Sequence, residues 1–350
     1  MRILHLAAGN RWTGAAAPAF AEVEALRAAG VDAHYAFVGG YKLEKKIGHL
    51  DFAHPLIEKS QNPAAFARTI RALANLGTFD FIHAHLTYDH WLARFVARRT
   101  GAAIARTFHS GRVLRGDPFT RSLIRTTQTL FIINETFSIP GRDATFTPPP
   151  IDHHQFTPVG NDARSLYGID RDTPLITVIG KISRGRGFET ALRAFASIRA
   201  NVPRARMMII GHGEYRPALE SLARELAIAN DIVWAGYHED DLADHYRASD
   251  LLLFTARGSD EGHRAVLEAM ACGVAPVVAP IDGVHALLGG FESDCIAADH
   301  SPDAIAQRAV TLLSKSREIG AVLANHALQF GYTAAAARLI AAYRLAKTVT

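Results

Sequence analysis

Carboxylates stand on both sides of the start of a short helix late in the chain. Asp260 and Glu261 lie in a glycine-bearing loop over residues 258–262, and Glu268 lies in the helix predicted over 264–271. A helix that begins directly after such a loop offers free backbone N–H groups and the positive end of its dipole, which suit a phosphate group. Because carboxylates repel phosphate, these acids suit the hydroxyl groups of a sugar or ribose. The pattern predicts a ligand with both phosphates and hydroxyls, such as a nucleotide sugar.

A group of positive charges follows the first predicted strand of the second half. The strand over 175–179 runs into Gly180-Lys181-Ile182-Ser183-Arg184-Gly185-Arg186-Gly187. Lys181 and Arg186 would stabilise the negative charge of a departing nucleoside diphosphate, and Arg184 is a further cation in the same loop. The alternative interpretation is a solvated basic turn.

These two stretches resemble the retaining GT-B glycosyltransferases of family 4. The family signature has an acid, seven residues, then Glu followed by Ala-Met-Ala-x-Gly. Asp260 and Glu268 fit that spacing, whereas Glu261 is one residue too close. The family also has Gly-Arg-x-x-x-x-Lys-Gly in the basic loop, where this chain has Lys181 and Arg186 with their types exchanged. Since Arg has a planar fork that Lys lacks, the exchange alters the geometry of the phosphate contacts.

The resemblance implies a role for each matching residue. Lys181 and Arg186 would bind the donor diphosphate, Glu268 the ribose hydroxyls, and Asp260 the sugar hydroxyls near the anomeric carbon. His109, directly after a predicted strand, would contact the donor sugar near its reacting carbon; a histidine packed at a strand end is the alternative. The expected catalytic residues are His109, Lys181, Arg186 and Asp260. The expected donor-binding residues are Gly14, Lys181, Arg186, Tyr237, Asp260, Glu261, Gly262, His263, Arg264 and Glu268.

The same resemblance implies transfer that keeps the anomeric configuration, with the leaving phosphate assisting proton removal. No metal and no cofactor is expected, because the two cations and the helix dipole can take the place of a metal ion. Competing hypotheses are an enzyme of the same fold with epimerase-like chemistry, and a non-catalytic member that binds nucleotide or glycan.

Loops after the predicted strands of the first half hold further candidates. The small-residue loop over 10–16 includes Gly14 but is not G-x-G-x-x-G, so a dinucleotide fingerprint is absent, and a plain turn is an equal alternative. His83, His85 and His90 invite a metal interpretation, yet no carboxylate or cysteine in the pattern completes a zinc spacing. Histidines at a strand end are the favoured interpretation, and the family resemblance agrees with it.

Composition is typical of a globular protein with two domains of ordinary size. The 350 residues are 49% hydrophobic and 21% charged, with a formal net charge of +4. Two cysteines indicate no disulfide framework, and no apolar run approaches a membrane span, so a cytoplasmic location is expected. Basic residues cluster over 41–59 and 112–125, either as solvated faces or as a surface for an acceptor or the inner membrane. They lack the interleaved aromatic residues of a nucleic-acid platform, so no nucleic acid is expected.

Alternating strands and helices predict an α/β fold with parallel sheets. Three prolines over 148–150 mark a domain boundary, which gives an N-terminal domain over 1–150 and a nucleotide-sugar domain over 151–333. The resemblance implies two Rossmann-like domains of the GT-B type facing across a cleft, with a final helix over 334–350 that crosses back. It implies transfer from a nucleotide sugar donor to a glycan or glycolipid acceptor, in lipopolysaccharide or other cell-surface polysaccharide synthesis.

Overall fold

The computed structural model describes residues 1–9, 15–60, 62–111, 117–256 and 263–348. The chain forms two compact units, one made of Met1–Pro150 with Phe330–Thr350 and the other of Ile151–Gln329. Each unit has its own parallel β-sheet with helices packed on it.

The first unit is built on seven strands that alternate with helices. Its strands are β1 (Arg2–Ala7), β2 (Asp32–Val38), β3 (Ala53–Ile57), β4 (Phe81–Ala84), β5 (Ala103–Phe108), β6 (Thr129–Ile132) and β7 (Thr145–Phe146). Its first helices are α1 (Ala16–Ala28), α2 (Lys42–Ile47), α3 (Pro63–Ala74), α4 (Thr87–Thr100) and α5 (Pro118–Arg125). The strand order is β3-β2-β1-β4-β5-β6-β7, and every pair is parallel. The strand order reverses direction beside β1, between β1 and β4, where such sheets bind ligands at their carboxyl ends.

The second unit repeats this architecture with five strands. Its strands are β8 (Leu175–Ile179), β9 (Arg206–Ile210), β10 (Ile232–Gly236), β11 (Leu251–Phe254) and β12 (Ala275–Val278). Its helices are α6 (Phe188–Asn201), α7 (Arg216–Glu225), α8 (Leu242–Arg247), α9 (Arg264–Ala271), α10 (His285–Leu288), α11 (Glu292–Cys295), α12 (Pro302–Leu313) and α13 (Ser316–Ala327). The order is β10-β9-β8-β11-β12, again parallel throughout.

A final helix, α14 (Tyr332–Thr348), packs on α1 and completes the first unit. Its Leu339 and Tyr343 are fully buried in the same core cluster as Ile3 of β1. The neighbouring residue Leu4 points to the opposite face, into the core under α3 and α4. Both faces of the sheet are therefore covered, as the near-continuous apolar strands require.

The structure differs from the sequence prediction at several element bounds. The sequence pattern predicts no regular structure in the basic stretch over 41–59, but this stretch contains α2 and β3. Leu43 and Ile47 of α2 are buried, and the lysines of α2 face solvent. The pattern predicts a helix over 91–99, but helix α4 begins at Thr87, because the Asp89 carboxylate accepts from the Leu86 N–H and caps the first turn. In the described parts of the chain, none of the helices has the length and apolar character of a membrane span.

Candidate functional site

The loops at the carboxyl ends of β8, β9 and β10 are held against one another by backbone hydrogen bonds. Gly180 N–H donates to Ile210 O at 3.0 Å, and Ile182 N–H donates to His212 O at 3.0 Å. Gly211 N–H donates to Gly236 O at 2.6 Å. These bonds fix the loop that follows β8, which carries the predicted diphosphate-binding cations, against its neighbours.

Glycines make this close approach possible. A Cβ atom on Gly211 would lie 1.9 Å from Gly180 O, and one on Gly213 would lie 1.9 Å from Ile182 O. No larger residue fits at either position without moving backbone. The Gly-His-Gly run after β9 is therefore needed to place the loop over 180–187, a role that the sequence pattern did not reveal.

Lys181 and Arg186 lie at the two ends of this loop. Lys181 is exposed and Arg186 is half-buried, and neither has an acidic partner in the part of the chain that the structure describes. Helix α6 begins directly after Gly187, whose carbonyl accepts a 2.9 Å hydrogen bond from the Thr255 hydroxyl at the end of β11. Two cations beside a helix N-terminus suit a polyanionic ligand.

Helix α9 contributes His263, Arg264 and Glu268. His263 caps the helix in a left-handed conformation (φ 50°), buried, with its Nε2 2.7 Å from Asp282 O. Glu268 is nearly buried; its Oε1 pairs with Arg264 Nε at 2.7 Å, and its Oε2 accepts from the Tyr246 hydroxyl at 3.1 Å. The carboxylate is thus held rigidly, as recognition of ribose hydroxyls would need.

Tyr237 follows β10 at the same edge. Its ring is 54% exposed and meets the His212 ring edge-on at 5.2 Å, and its hydroxyl donates to Glu239 at 2.9 Å. An exposed, braced aromatic ring can stack on a nucleobase. The other predicted residues, Gly14, Asp260, Glu261 and Gly262, lie outside the described residues, and their roles stay predictions.

In the first unit, His109 follows β5 and contacts a chain of histidines. Its Nε2 lies 2.9 Å from His85 Nδ1. On the other side of the same ring, His85 Nε2 lies 2.9 Å from His5 Nδ1. Burial lowers the pKa of His109 to about 3, so the ring is neutral near pH 7. A neutral imidazole there acts as a hydrogen-bonding group and not as a cation.

Sequence reasoning missed four residues that organise this end of the first sheet. Asp89 accepts from Ala8 N–H and Leu86 N–H, both at 2.8 Å, and joins the ends of β1 and β4. Arg106 is buried, with its guanidinium 4.7 Å from the Phe108 ring centre and Nη1 3.3 Å from Leu86 O. Glu22 and His5 are the other two. These residues could have been identified from the sequence as charged or polar residues at positions of a strand or helix that the pattern assigns to the apolar core.

Comparisons with known proteins agree with this architecture. Residues 173–315 match the family model described as glycosyl transferases group 1. The D-inositol 3-phosphate glycosyltransferase of Thermobispora bispora is 27% identical over 78% of this chain and 72% of its own length. A glycosyltransferase structure from Rickettsia africae ESF-5 has a TM-score of 0.83 at 15% identity, covering 100% of this chain and 99% of that one. The structure of Anabaena Alr3699/HepE in complex with UDP and glucose has a TM-score of 0.79, also at 15% identity, covering 100% and 99%.

Each of the two units has a parallel sheet covered by helices. Together with these structural neighbours, this architecture defines the GT-B fold, which confirms the predicted fold class. The match over residues 173–315 and the curated relatives confirm the resemblance to group 1 glycosyltransferases that the sequence indicated.

Proposed function

We propose that this chain is a retaining glycosyltransferase that moves a hexosyl group from a nucleoside diphosphate to a glycan or lipid-linked acceptor. The observation that carries the proposal is the placement of Lys181, Arg186 and Glu268 at one carboxyl edge of the second sheet. Cations suit the diphosphate, and a fixed carboxylate on the helix that follows the neighbouring strand β11 suits ribose.

In the proposed reaction, the bond between the anomeric carbon and the leaving phosphate oxygen breaks. Lys181 and Arg186 stabilise the negative charge that develops on the nucleoside diphosphate. The acceptor hydroxyl oxygen forms the new bond on the same face of the sugar, and its proton passes to the leaving phosphate. Asp260 supports the positive charge at the anomeric carbon, and neutral His109 hydrogen-bonds the donor sugar. This scheme requires no metal ion in the donor site.

For the donor and the acceptor, we propose a chemical class and not a particular molecule. The Anabaena structure holds UDP and glucose, so a UDP-sugar is the first donor to test. The acceptor is proposed to belong to lipopolysaccharide or another cell-surface polysaccharide, reached from the cytoplasmic side of the inner membrane. The exposed lysines of α2 support contact with an anionic surface or acceptor, although a solvated face accounts for them as well.

The test is product analysis with the purified chain, a panel of nucleotide sugars and candidate acceptors. The expected result is nucleoside diphosphate release that depends on acceptor, with a product whose anomeric proton coupling matches the configuration of the donor. An inverted product would contradict the retaining mechanism. An epimerised donor without transfer would favour epimerase-like chemistry, and nucleotide binding without any turnover would favour a non-catalytic member of the fold.

A further inference from the structure

Four ligand-type side chains converge in the core of the first unit, away from the proposed donor-binding edge of the second sheet. His5 lies on β1, Glu22 on α1, and His83 and His85 on and just after β4. His5 and His83 are register partners on neighbouring strands, so their side chains lie on the same face. None of the four is more than 2% exposed, and one ligand atom from each lies within 4.8 Å of all the others.

The Glu22 carboxylate is the unusual member of this group. Its Oε2 is buried and has no hydrogen-bond partner among the residues that the structure describes. It lies 3.8 Å from His5 Nδ1, 3.9 Å from His83 Nδ1 and 3.8 Å from His85 Nε2. These distances are too long for hydrogen bonds, and a buried carboxyl oxygen without a partner is costly. An oxygen equidistant from three imidazole nitrogens faces a point that a cation could occupy.

We propose that His5, Glu22, His83 and His85 form a structural site for a zinc-class divalent cation. Zinc takes imidazole nitrogen and carboxylate oxygen at about 2.0 to 2.2 Å, so tetrahedral ligand atoms lie about 3.3 to 3.6 Å apart. Glu22 Oε2 must approach the nitrogens by a few tenths of an ångström. His5 Nδ1 and His85 Nε2, now 2.9 Å apart, must separate by a similar amount. His83 Nδ1 exchanges its 2.6 Å contact with the Tyr343 hydroxyl for the metal.

The opposite ring nitrogens of two of the histidines have partners of the kind that metal-ligating imidazoles use. His83 Nε2 lies 2.8 Å from the Thr107 hydroxyl, and His85 Nδ1 lies 2.9 Å from His109 Nε2. Such outer contacts fix the tautomer and the orientation of a ligating ring. With Nε2 of His85 on the metal, its Nδ1 carries the proton and donates to His109, whose own proton then lies on Nδ1. The ion would thereby also set the tautomer of His109.

The site differs from the metal interpretation that the sequence considered. His90 is not part of it, because its Nε2 lies 2.7 Å from the Thr127 hydroxyl. The missing carboxylate comes instead from α1, far away in the chain. Four protein ligands without solvent access describe a closed structural site and not a catalytic one.

Metal content tests the proposal directly. The untagged full chain, purified without chelator, is expected to hold about one zinc per chain by elemental analysis, whereas Glu22→Gln and His85→Gln are expected to lose most of it. His54→Gln is the matched control, because His54 pairs with His34 at 3.0 Å elsewhere in the same unit. That variant should keep its zinc. Absence of zinc from the wild-type chain, even after zinc is added back, would overturn the proposal.

A second measurement remains informative where a variant folds poorly. Cobalt(II) added to chelator-treated wild-type protein should give the strong visible absorption of a tetrahedral site, and zinc should raise its melting temperature. Neither change is expected for Glu22→Leu. If Glu22→Leu instead raises the melting temperature of the chain above that of the zinc-treated wild type, the buried carboxylate only destabilises the fold. That result would refute the proposed zinc site.

Discussion

Glu268 is held from two sides in helix α9, by the Arg264 guanidinium and by the Tyr246 hydroxyl. The sequence spacing predicted that this residue faces the ligand, but not that it would be braced in this way. Tyr246 lies 22 residues earlier in the chain, and no periodic pattern relates the two. Side-chain partners of this kind depend on tertiary packing. The sequence therefore predicted Glu268 as a site residue but could not predict which side chains hold it.

Replacement Glu268→Gln tests the ribose role. The amide keeps the size of the side chain and can still accept from Tyr246, but it loses the charge that strengthens hydrogen bonds to hydroxyls. We expect nucleoside diphosphate affinity to fall roughly tenfold, about 1.4 kcal/mol, by calorimetry. Glu225→Gln, an exposed change on α7, is the control and should bind normally. Unchanged affinity in Glu268→Gln would contradict the proposed ribose contact.

His90 gives a prediction for pH dependence. Burial lowers its pKa from 6.5 to about 2, so the folded chain keeps the ring neutral while the unfolded chain protonates it below pH 6.5. Its contribution to stability is therefore lost progressively as pH falls from 6.5 towards 2. In His90→Gln the slope of the free energy of unfolding against pH should shrink by up to about 1.4 kcal/mol per pH unit in this window. His49→Gln, an exposed control, should leave the slope unchanged, and an unchanged slope in His90→Gln would refute the assignment.

At the scale of elements, most strands were predictable because each is a short apolar run bounded by glycine or polar residues. Strand β3, which contains Pro55, and the two-residue strand β7 were not. Helix α2 was not predictable, since it contains three lysines and its apolar face consists only of Leu43 and Ile47. The apolar spacing predicts a helix over 215–229, but helix α7 ends at Glu225, because the chain turns at Ala227 in a left-handed conformation (φ 56°). Alanine gives no sequence signal for such a turn, so the bound could not be foreseen.

The contact between Gly213 and Ile182 makes the position of the cation loop testable. In Gly213→Ala the new Cβ would meet Ile182 O at 1.9 Å, so the loop must move away from β9. We expect nucleoside diphosphate affinity to fall by at least about tenfold because Lys181 moves with the loop. Gly185→Ala is the matched control in the same loop. Its φ is 77°, and no described residue lies within 4 Å of the new Cβ, so the substitution costs only about 1 kcal/mol of conformational strain. Equal binding by Gly213→Ala and wild type would show that loop placement does not matter.

At the scale of the whole molecule, each unit has its own sheet, and the last helix returns to the first unit. Tyr332 of α14 donates to Glu24 of α1 at 2.8 Å, and Lys347 pairs with Asp80. The sequence indicated the two-domain architecture through motif resemblance more than through periodicity. The convergence of His5, Glu22 and His85 could not be predicted, because it needs the register of β1 with β4 and the docking of α1.

The most direct measurement is the melting temperature of the chain with nucleoside diphosphates and nucleotide sugars, for wild type beside Lys181→Ala/Arg186→Ala. Ligands that bind the native state raise the melting temperature according to their affinity and concentration. Arg193→Ala, an exposed cation on α6, is the control for loss of charge. The expected result is a rise with one nucleobase class that persists in Arg193→Ala and disappears in the double variant. No rise with any of these ligands, or an equal rise in the double variant, would contradict the proposed donor site.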